Sequence, residues 1–379
     1  MKYLNLGTTN IKISRICLGT MTWGKQNNQN QAFEQMNYAL DQGVNFFDTA
    51  EMYAIPPTAD SYGKTEIIIG NWFEKYRKRQ DVVIATKFSP LPWARGEKTP
   101  VINKENIIIA VENSLARLKT DYVDLYQLHW PTNRANYHFS NWWDFEPPYE
   151  KNAKQKITDN IYEIISTLDQ MVKSGKIRAI GLSDDSAWGI KQYVDIAHYN
   201  DLIKISSIQN EYNLLRRRDE HDVAETCILE DVSYLAWSPL AMGVLSGKYL
   251  DNKFPANSRF SKEVMADGWD RYKTRIELNT SNATRQYLAI AKKHNLDPCQ
   301  MAIAFTLSKK WIASSIIGAT SMDQLKSNIA AININIDKDC LSDINNCYKN
   351  YPVPFLVKGS DPIFSLFLFF PRIPQLKYP

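Results

Sequence analysis

Four side chains in this sequence occupy equivalent positions and complement one another chemically. Asp48 ends a short apolar run from Val44 to Phe47, and Tyr53 follows five residues later. Lys87 follows Val82-Val83-Ile84-Ala85-Thr86, and His129 follows Val123-Asp124-Leu125-Tyr126-Gln127-Leu128. A free phenol has a pKa of about 10 and is a weak acid at neutral pH. An ammonium beside it stabilises the phenolate and lowers that value. Lys87 can supply the charge, and Asp48 can hold Lys87 as its ion-pair partner. His129 can hydrogen-bond the same oxygen that Tyr53 protonates, or relay a proton. None of the four is an activated nucleophile. The set suits a carbonyl that gains a proton on oxygen while its carbon is attacked by another group.

Bringing these residues together requires strands whose carboxyl ends meet, which is where parallel α/β architectures build their sites. The chain alternates accordingly. Residues 2–13 read as a hairpin around Gly7-Thr8-Thr9-Asn10, with Leu4, Leu6, Ile11 and Ile13 as its apolar side chains. Ile16 to Leu18 reads as the first barrel strand. Ala32, Met36, Ala39 and Leu40 then form a helical stripe closed by Gly43. The Asp48, Lys87 and His129 strands follow, separated by helices over 66–72 and after Asn103, a preferred N-cap type. Ile177–Leu182, Ile203–Ile208, Val232–Trp237 and Ser314–Ile317 read as strands five to eight. Before, between and after them, helices are expected over 157–174, 288–293, 301–307, 322–332 and 337–349.

Eight strands alternating with helices predict an α/β fold, a closed (β/α)8 TIM barrel. It carries an N-terminal hairpin, insertions after strands four (130–156) and seven (243–280), and an extra C-terminal helix. A doubly wound sheet would usually show G-x-G-x-x-G after its first strand, but here the segment is Gly19-Thr20-Met21-Thr22-Trp23-Gly24. The barrel domain spans 1–350. The tail over 351–379 contains the apolar run Phe364-Ser365-Leu366-Phe367-Leu368-Phe369-Phe370 and has no assigned role.

Composition excludes several classes. The net charge is only +4 over 379 residues, and no basic stripe has interleaved aromatics, so nucleic acid is not an expected partner. Five cysteines without a CxxC argue for a reducing, cytoplasmic setting and against a disulfide framework or zinc site. The first residues lack a hydrophobic signal core, and no apolar run reaches the ~20 residues a membrane helix needs. No two histidines have metal-ligand spacing, which disfavours a metal-dependent hydrolase on the same barrel. An oligomer is compatible with the sequence. Trp23, Trp93, Trp130, Trp142 and Trp143 are candidates to line an aromatic substrate pocket.

The later strand ends carry residues of another kind. Gly181-Leu182-Ser183-Asp184, Gln209-Asn210, Trp237-Ser238-Pro239-Leu240-Ala241-Met242-Gly243 and Gly318-Ala319-Thr320-Ser321 follow strands five to eight. Gln324 and Asn328 lie one and two turns into the last helix-forming segment. Hydroxyls, amides and free backbone N–H groups at a helix start form an anion site, and Lys248 and Arg259 can close over phosphates. One half of the rim therefore looks catalytic and the other suited to a phosphorylated ligand.

Taken in order, Asp48-Thr49-Ala50-Glu51-Met52-Tyr53, Lys87, Leu128-His129-Trp130-Pro131, Ile180-Gly181-Leu182-Ser183, Gln209-Asn210 and Ser238-Pro239-Leu240 resemble the aldo-keto reductases. The likeness covers roughly residues 1–350. Within the family it points to a bacterial Tas-like branch, related to the potassium-channel β-subunits. The resemblance implies a barrel that binds NADPH without a Rossmann fold, with Asp48, Tyr53, Lys87 and His129 as its catalytic tetrad. It implies that hydride passes from nicotinamide C4 to a carbonyl carbon while Tyr53 protonates the oxygen. By the same resemblance, Ser183, Asp184 and Gln209 hold the carboxamide and Trp237 stacks on the nicotinamide. Ser238 with Pro239 and Leu240, then Gly243, Lys248 and Arg259, follow the phosphates. Gly318, Thr320, Gln324 and Asn328 hold the adenosine end.

One position departs from the pattern. Many relatives have Asn after the serine, and this chain has Asp184. An ionised carboxylate accepts hydrogen bonds but donates none, and it adds negative charge beside an anionic cofactor. Weaker NADPH binding is one expectation; an N-cap role for the helix from 186 onward is the other. The resemblance also leaves a rival function open: an NADPH-binding regulatory subunit with little turnover, acting through a protein partner.

Overall fold

The computed structural model describes residues 1–96, 102–131, 151–256, 258–261, 263 and 275–354. The proline- and aromatic-rich stretch with Trp142 and Trp143, and the apolar run beyond 354, lie outside the described residues.

Two antiparallel strands open the chain, β1 (Tyr3–Asn5) and β2 (Lys12–Ser14). The barrel follows in chain order: β3 (Ile16–Gly19), β4 (Phe46–Asp48), β5 (Val83–Phe88), β6 (Val123–Leu128), β7 (Ile177–Ser183), β8 (Ser207–Glu211), β9 (Ser233–Trp237) and β10 (Ile312–Ile317). All neighbours are parallel, and β10 pairs with β3 to close the ring. Outside it run α1 (Gln29–Asp41), α2 (Lys64–Tyr76), the short α3 (Pro92–Arg95), α4 (Lys104–Leu118), α5 (Ala153–Lys173) and α6 (Ala187–Tyr199). They continue with α7 (Asp222–Leu229), α8 (Leu278–Lys293), α9 (Pro298–Ser308), α10 (Met322–Ala330) and α11 (Lys338–Asn350).

The helices form where apolar residues recur every three or four positions. In α5 the buried stripe is Ile157, Ile161, Ile164, Ile165 and Leu168. Each such side chain stabilises the layer by about 1.5–3 kcal/mol when fully buried. Asn103 accepts from the Asn106 N–H at 2.9 Å and caps α4, as its type predicts.

The hairpin seals the amino-terminal end of the barrel. Leu6, Ile11 and Ile13 join Cys17, Phe46, Val83, Leu125 and Leu235 in one interior cluster. The turn approaches closely: a Cβ on Gly7 would stand 2.7 Å from the Ser206 carbonyl oxygen, and Gly7 has φ +53. Its N–H donates to Ser233 Oγ at 2.7 Å. The opposite, carboxyl-terminal end remains for chemistry.

Several boundaries differ from the sequence expectation, and two of the differences have a readable cause. The sixth barrel strand is Ser207–Glu211, not Ile203–Ile208. Four of its five residues, Ser207, Gln209, Asn210 and Glu211, are polar, so the apolar run that signals a strand stops short of the strand itself. α8 begins ten residues earlier than its apolar stripe, because Thr280 and Thr284 supply buried positions there.

Candidate active site

Asp48 is the last residue of β4, and its carboxylate meets Lys87 of β5 inside the barrel. Lys87 Nζ donates to Asp48 Oδ2 at 2.6 Å and to the Thr49 carbonyl at 2.8 Å. Lys87 is fully buried. Burial alone would lower its pKa; the charge of Asp48 first, then Tyr53 and the Asp48 hydrogen bond, outweigh burial and raise it. The residue is therefore a fixed cation.

Tyr53 sits above this pair, with its ring centroid 5.1 Å from Lys87 Nζ. Its pKa is raised, against the expectation of an acidified phenol. Burial is the largest cause; Lys87 opposes it and Asp48 adds to it. His129 follows β6, its backbone N–H donating to the Phe88 carbonyl at 3.0 Å. Its ring centroid is 5.8 Å from that of Tyr53, edge-on. Burial first, and then the Lys87 charge, hold the imidazole well below its ordinary pKa, so it is neutral. The four residues picked from sequence thus converge at one place.

Three further side chains belong to this half, and sequence reasoning missed them. Gln127 Nε2 donates to Asp48 Oδ1 at 3.1 Å. Its signal was a lone amide inside the β6 apolar run, in register with Lys87. Ser89 Oγ lies 3.0 Å from His129 Nδ1, and its N–H donates to Glu51 Oε1 at 2.7 Å. Glu51 is fully buried and pairs with Arg95.

The expected cofactor residues occupy the other half. Gln209 lies inside β8, where its Nε2 donates to Asp48 Oδ1 at 2.7 Å and to Gln127 Oε1 at 3.1 Å. It thereby joins the two halves. Ser183 ends β7 and is buried. Asp184 adopts φ +50, its N–H donating to the Gln209 carbonyl at 3.0 Å. Asp184 Oδ1 accepts from Trp237 Nε1 at 3.1 Å. Burial pushes the Asp184 carboxyl up to about 7, against the smaller opposing pull of Trp237 and Arg216. The N-cap expectation for Asp184 is corrected: Ser186 caps α6, accepting from the Gly189 N–H at 3.2 Å.

After β9 the backbone coils tightly. Ser238, Ala241, Met242 and Gly243 all have positive φ. Ser238 Oγ accepts from the Met242 N–H at 2.8 Å. Pro239 is buried and Leu240 half-buried in this turn. A Cβ on Gly243 would stand 3.1 Å from Lys248 Nζ, so the glycine leaves room for the ammonium to fold onto the turn. Arg259 reaches to Met21 Sδ at 3.6 Å, placing a guanidinium beside the loop after β3. Around the start of α10, Thr320 N–H donates to Gln324 Oε1 at 3.0 Å, and Asn328 Nδ2 to the Gly318 carbonyl at 3.0 Å. Among the described residues, its chain neighbours aside, no heavy atom lies within 4 Å of where a Gly318 side chain would start.

The tryptophans separate. Trp130 packs with Ala50, Met52, Tyr53, Ile55 and Leu91, forming an apolar wall beside the phenol. Trp93 is 40% exposed and meets Tyr62 edge-on at 5.5 Å. Trp23 corrects the pocket expectation. It is fully buried, with Nε1 donating to Gln35 Oε1 at 2.9 Å, in the layer between barrel and helices. Its indole N–H required a buried acceptor and found one in α1.

Comparison with known proteins gives the same direction. The model of the Aldo/keto reductase family matches residues 15–349. Protein tas of Escherichia coli strain K12 is 37% identical over 361 residues, covering 93% of this chain and 99% of that protein. Protein tas of Shigella flexneri matches equally. The uncharacterized oxidoreductase YrpG of Bacillus subtilis strain 168 is 31% identical over 352 residues, covering 92% of this chain and 96% of that protein. With a closed parallel barrel and a family match over most of its length, this chain is an oxidoreductase belonging to the aldo/keto reductase family.

Proposed function

We propose that this protein reduces aldehydes or ketones to alcohols with NADPH, and that Tyr53 is the general acid. The observation that carries the reading is the buried Asp48–Lys87 pair beneath Tyr53, with neutral His129 at its edge. Bound NADPH supplies a hydride to the carbonyl carbon. The chain does the rest. The wall of Trp130, Met52 and Leu91 excludes water from the carbonyl. His129 offers a hydrogen bond to its oxygen. Tyr53, kept protonated by burial, passes its proton to that oxygen as negative charge develops there. The phenolate left behind faces the Lys87 ammonium, which stabilises it, and Asp48 keeps that ammonium in place.

The residues expected for the cofactor fit a long anionic ligand. Trp237 presents a half-buried ring whose N–H is already held by Asp184. The positive-φ turn, Lys248, Arg259 and the open side of Gly318 supply donors, charge and room. Arg259 is the residue suited to a 2′-phosphate, and so to NADPH over NADH.

The test is NADPH oxidation, followed by absorbance, against a panel of aldehydes and quinones. Tyr53→Phe should lower turnover by about 10²–10⁴-fold while the NADPH dissociation constant moves by less than about two-fold. NADPH binding without turnover of any carbonyl by the wild type would overturn the reading in favour of a cofactor-binding regulatory subunit.

A further inference from the structure

We propose that Ser89 is a positioning residue: its hydroxyl fixes the tautomer and orientation of His129, so that Nε2–H, not a lone pair, faces the reacting oxygen. The functional part of this inference rests on the carbonyl-reductase reading above; the tautomer does not.

Ser89 is fully buried, and its Oγ lies 3.0 Å from His129 Nδ1. Among the described residues the hydroxyl has no other hydrogen-bond partner. A neutral imidazole carries one N–H. If that proton sat on Nδ1, it would donate to Ser89 Oγ, and the hydroxyl's own proton would be buried without an acceptor. If it sits on Nε2, Ser89 donates into the Nδ1 lone pair and both groups are satisfied. Leaving a buried donor unpaired is costly enough to bias the tautomer by about ten-fold or more. A doubly protonated ring would strand the same hydroxyl, and burial already keeps His129 neutral.

Nε2 has no protein partner among the described residues, and the ring meets Tyr53 edge-on. A carbonyl oxygen beside Tyr53 therefore encounters an N–H donor. The opposite tautomer would present a lone pair there, which repels the oxygen and competes for the Tyr53 proton.

Ser89 is itself held. Its N–H donates to Glu51 Oε1 at 2.7 Å, and the Glu51 N–H donates to the Lys87 carbonyl at 3.3 Å. Arg95 pairs with the same carboxylate, and Arg117 stands 3.9 Å from its other oxygen. Glu51 lies two residues before Tyr53. One buried carboxylate thus ties the Tyr53 loop to the hydroxyl that sets His129.

The experiment is two-bond ¹H–¹⁵N correlation on the full chain labelled with ¹⁵N-histidine, the His129 signals being assigned with His129→Gln. Wild-type His129 should show Nε2 protonated and Nδ1 unprotonated. Ser89→Ala should shift those signals toward a mixture of tautomers, and Ser89→Thr should restore them. In turnover, Ser89→Ala should lower kcat by about ten-fold with NADPH affinity unchanged, and Ser89→Thr should recover most of it. A wild-type spectrum with Nδ1 protonated, or a Ser89→Ala spectrum identical to wild type, would overturn the proposal. The wild-type spectrum suffices if Ser89→Ala does not fold. Failure of the reductase reading appears separately, as absent turnover in a wild type with the expected tautomer.

Discussion

On the Asp48–His129 side of the barrel mouth, each polar group is held by a side chain from a neighbouring strand or loop. On the Ser183–Asn328 side, the backbone itself turns to face the opening. The first side joins Asp48 to Lys87, Gln127 and Gln209, and His129 to Ser89. The second has positive φ at Asp184, Ser238, Ala241, Met242 and Gly243. A proton transfer needs a few atoms held to within fractions of an ångström, which interlocked side chains on strands provide. A long phosphorylated ligand needs many donors along a path, which turned backbone provides.

If the two sides are built differently, they should break differently. The largest effect is expected at the ion pair. Lys87→Met leaves Asp48 buried and uncompensated, and should cost about 3–5 kcal/mol in urea unfolding while abolishing turnover. Adding Asp48→Asn should recover much of the stability and none of the turnover, because the desolvated charge is gone but so is the cation beneath Tyr53. A double variant as unstable as the single would show that Lys87 matters for packing alone.

The next effect is expected in the turn after β9. Gly243→Ala puts a Cβ at φ +90, with Lys248 Nζ 3.1 Å away. It should cost about 1–3 kcal/mol of stability and weaken NADPH binding, with kcat at saturating cofactor little changed. A fall in kcat at constant affinity would dissolve the distinction between the two sides.

The smallest effect concerns Asp184. Its folded pKa of about 7 lies above the ordinary 3.8, so the folded state holds this proton more tightly. The stability contribution of this group is therefore highest below about 4, falls as pH rises to about 7, and is flat beyond. Above about 7 the carboxylate is charged beside an anionic ligand. Wild-type NADPH affinity should weaken between pH 6 and 8 relative to Asp184→Asn, measured by fluorescence titration of both proteins. Parallel profiles would remove Asp184 as the cause.

Some of this was legible in the sequence and some was not. Asp48, Lys87 and His129 stand out because each polar residue ends an apolar run, and a parallel barrel places such ends together. The barrel itself follows from the alternation of strands and helices. Gln127 is obscured because barrel interiors near the mouth are polar, so an inward amide reads as a blemish in a strand; Gln209 is legible as a cofactor candidate, but the polar residues around it hide the strand that carries it. That is also why β8 was displaced. Ser89 and Glu51 carry no pattern at all: their meaning lies in contacts across 40 and 38 positions of sequence. The acidity of Tyr53 was misjudged because proximity of Lys87 is readable in a motif, whereas depth of burial is not. Trp23 shows the converse, a rim position by sequence that folds inward onto Gln35.

The ring closes where β10 pairs with β3, and the same seam carries Arg15 to the Leu307 carbonyl and Ser314 to the Ser14 carbonyl, each side-chain-to-backbone. A chain emerging from the ribosome must therefore wait for residues 312–317 before its first barrel strand has a second neighbour. Until then β3 and β9 are open parallel edges, able to pair with another nascent copy. A protein whose sheet is edgeless when finished is, for most of its synthesis, one with two edges to protect.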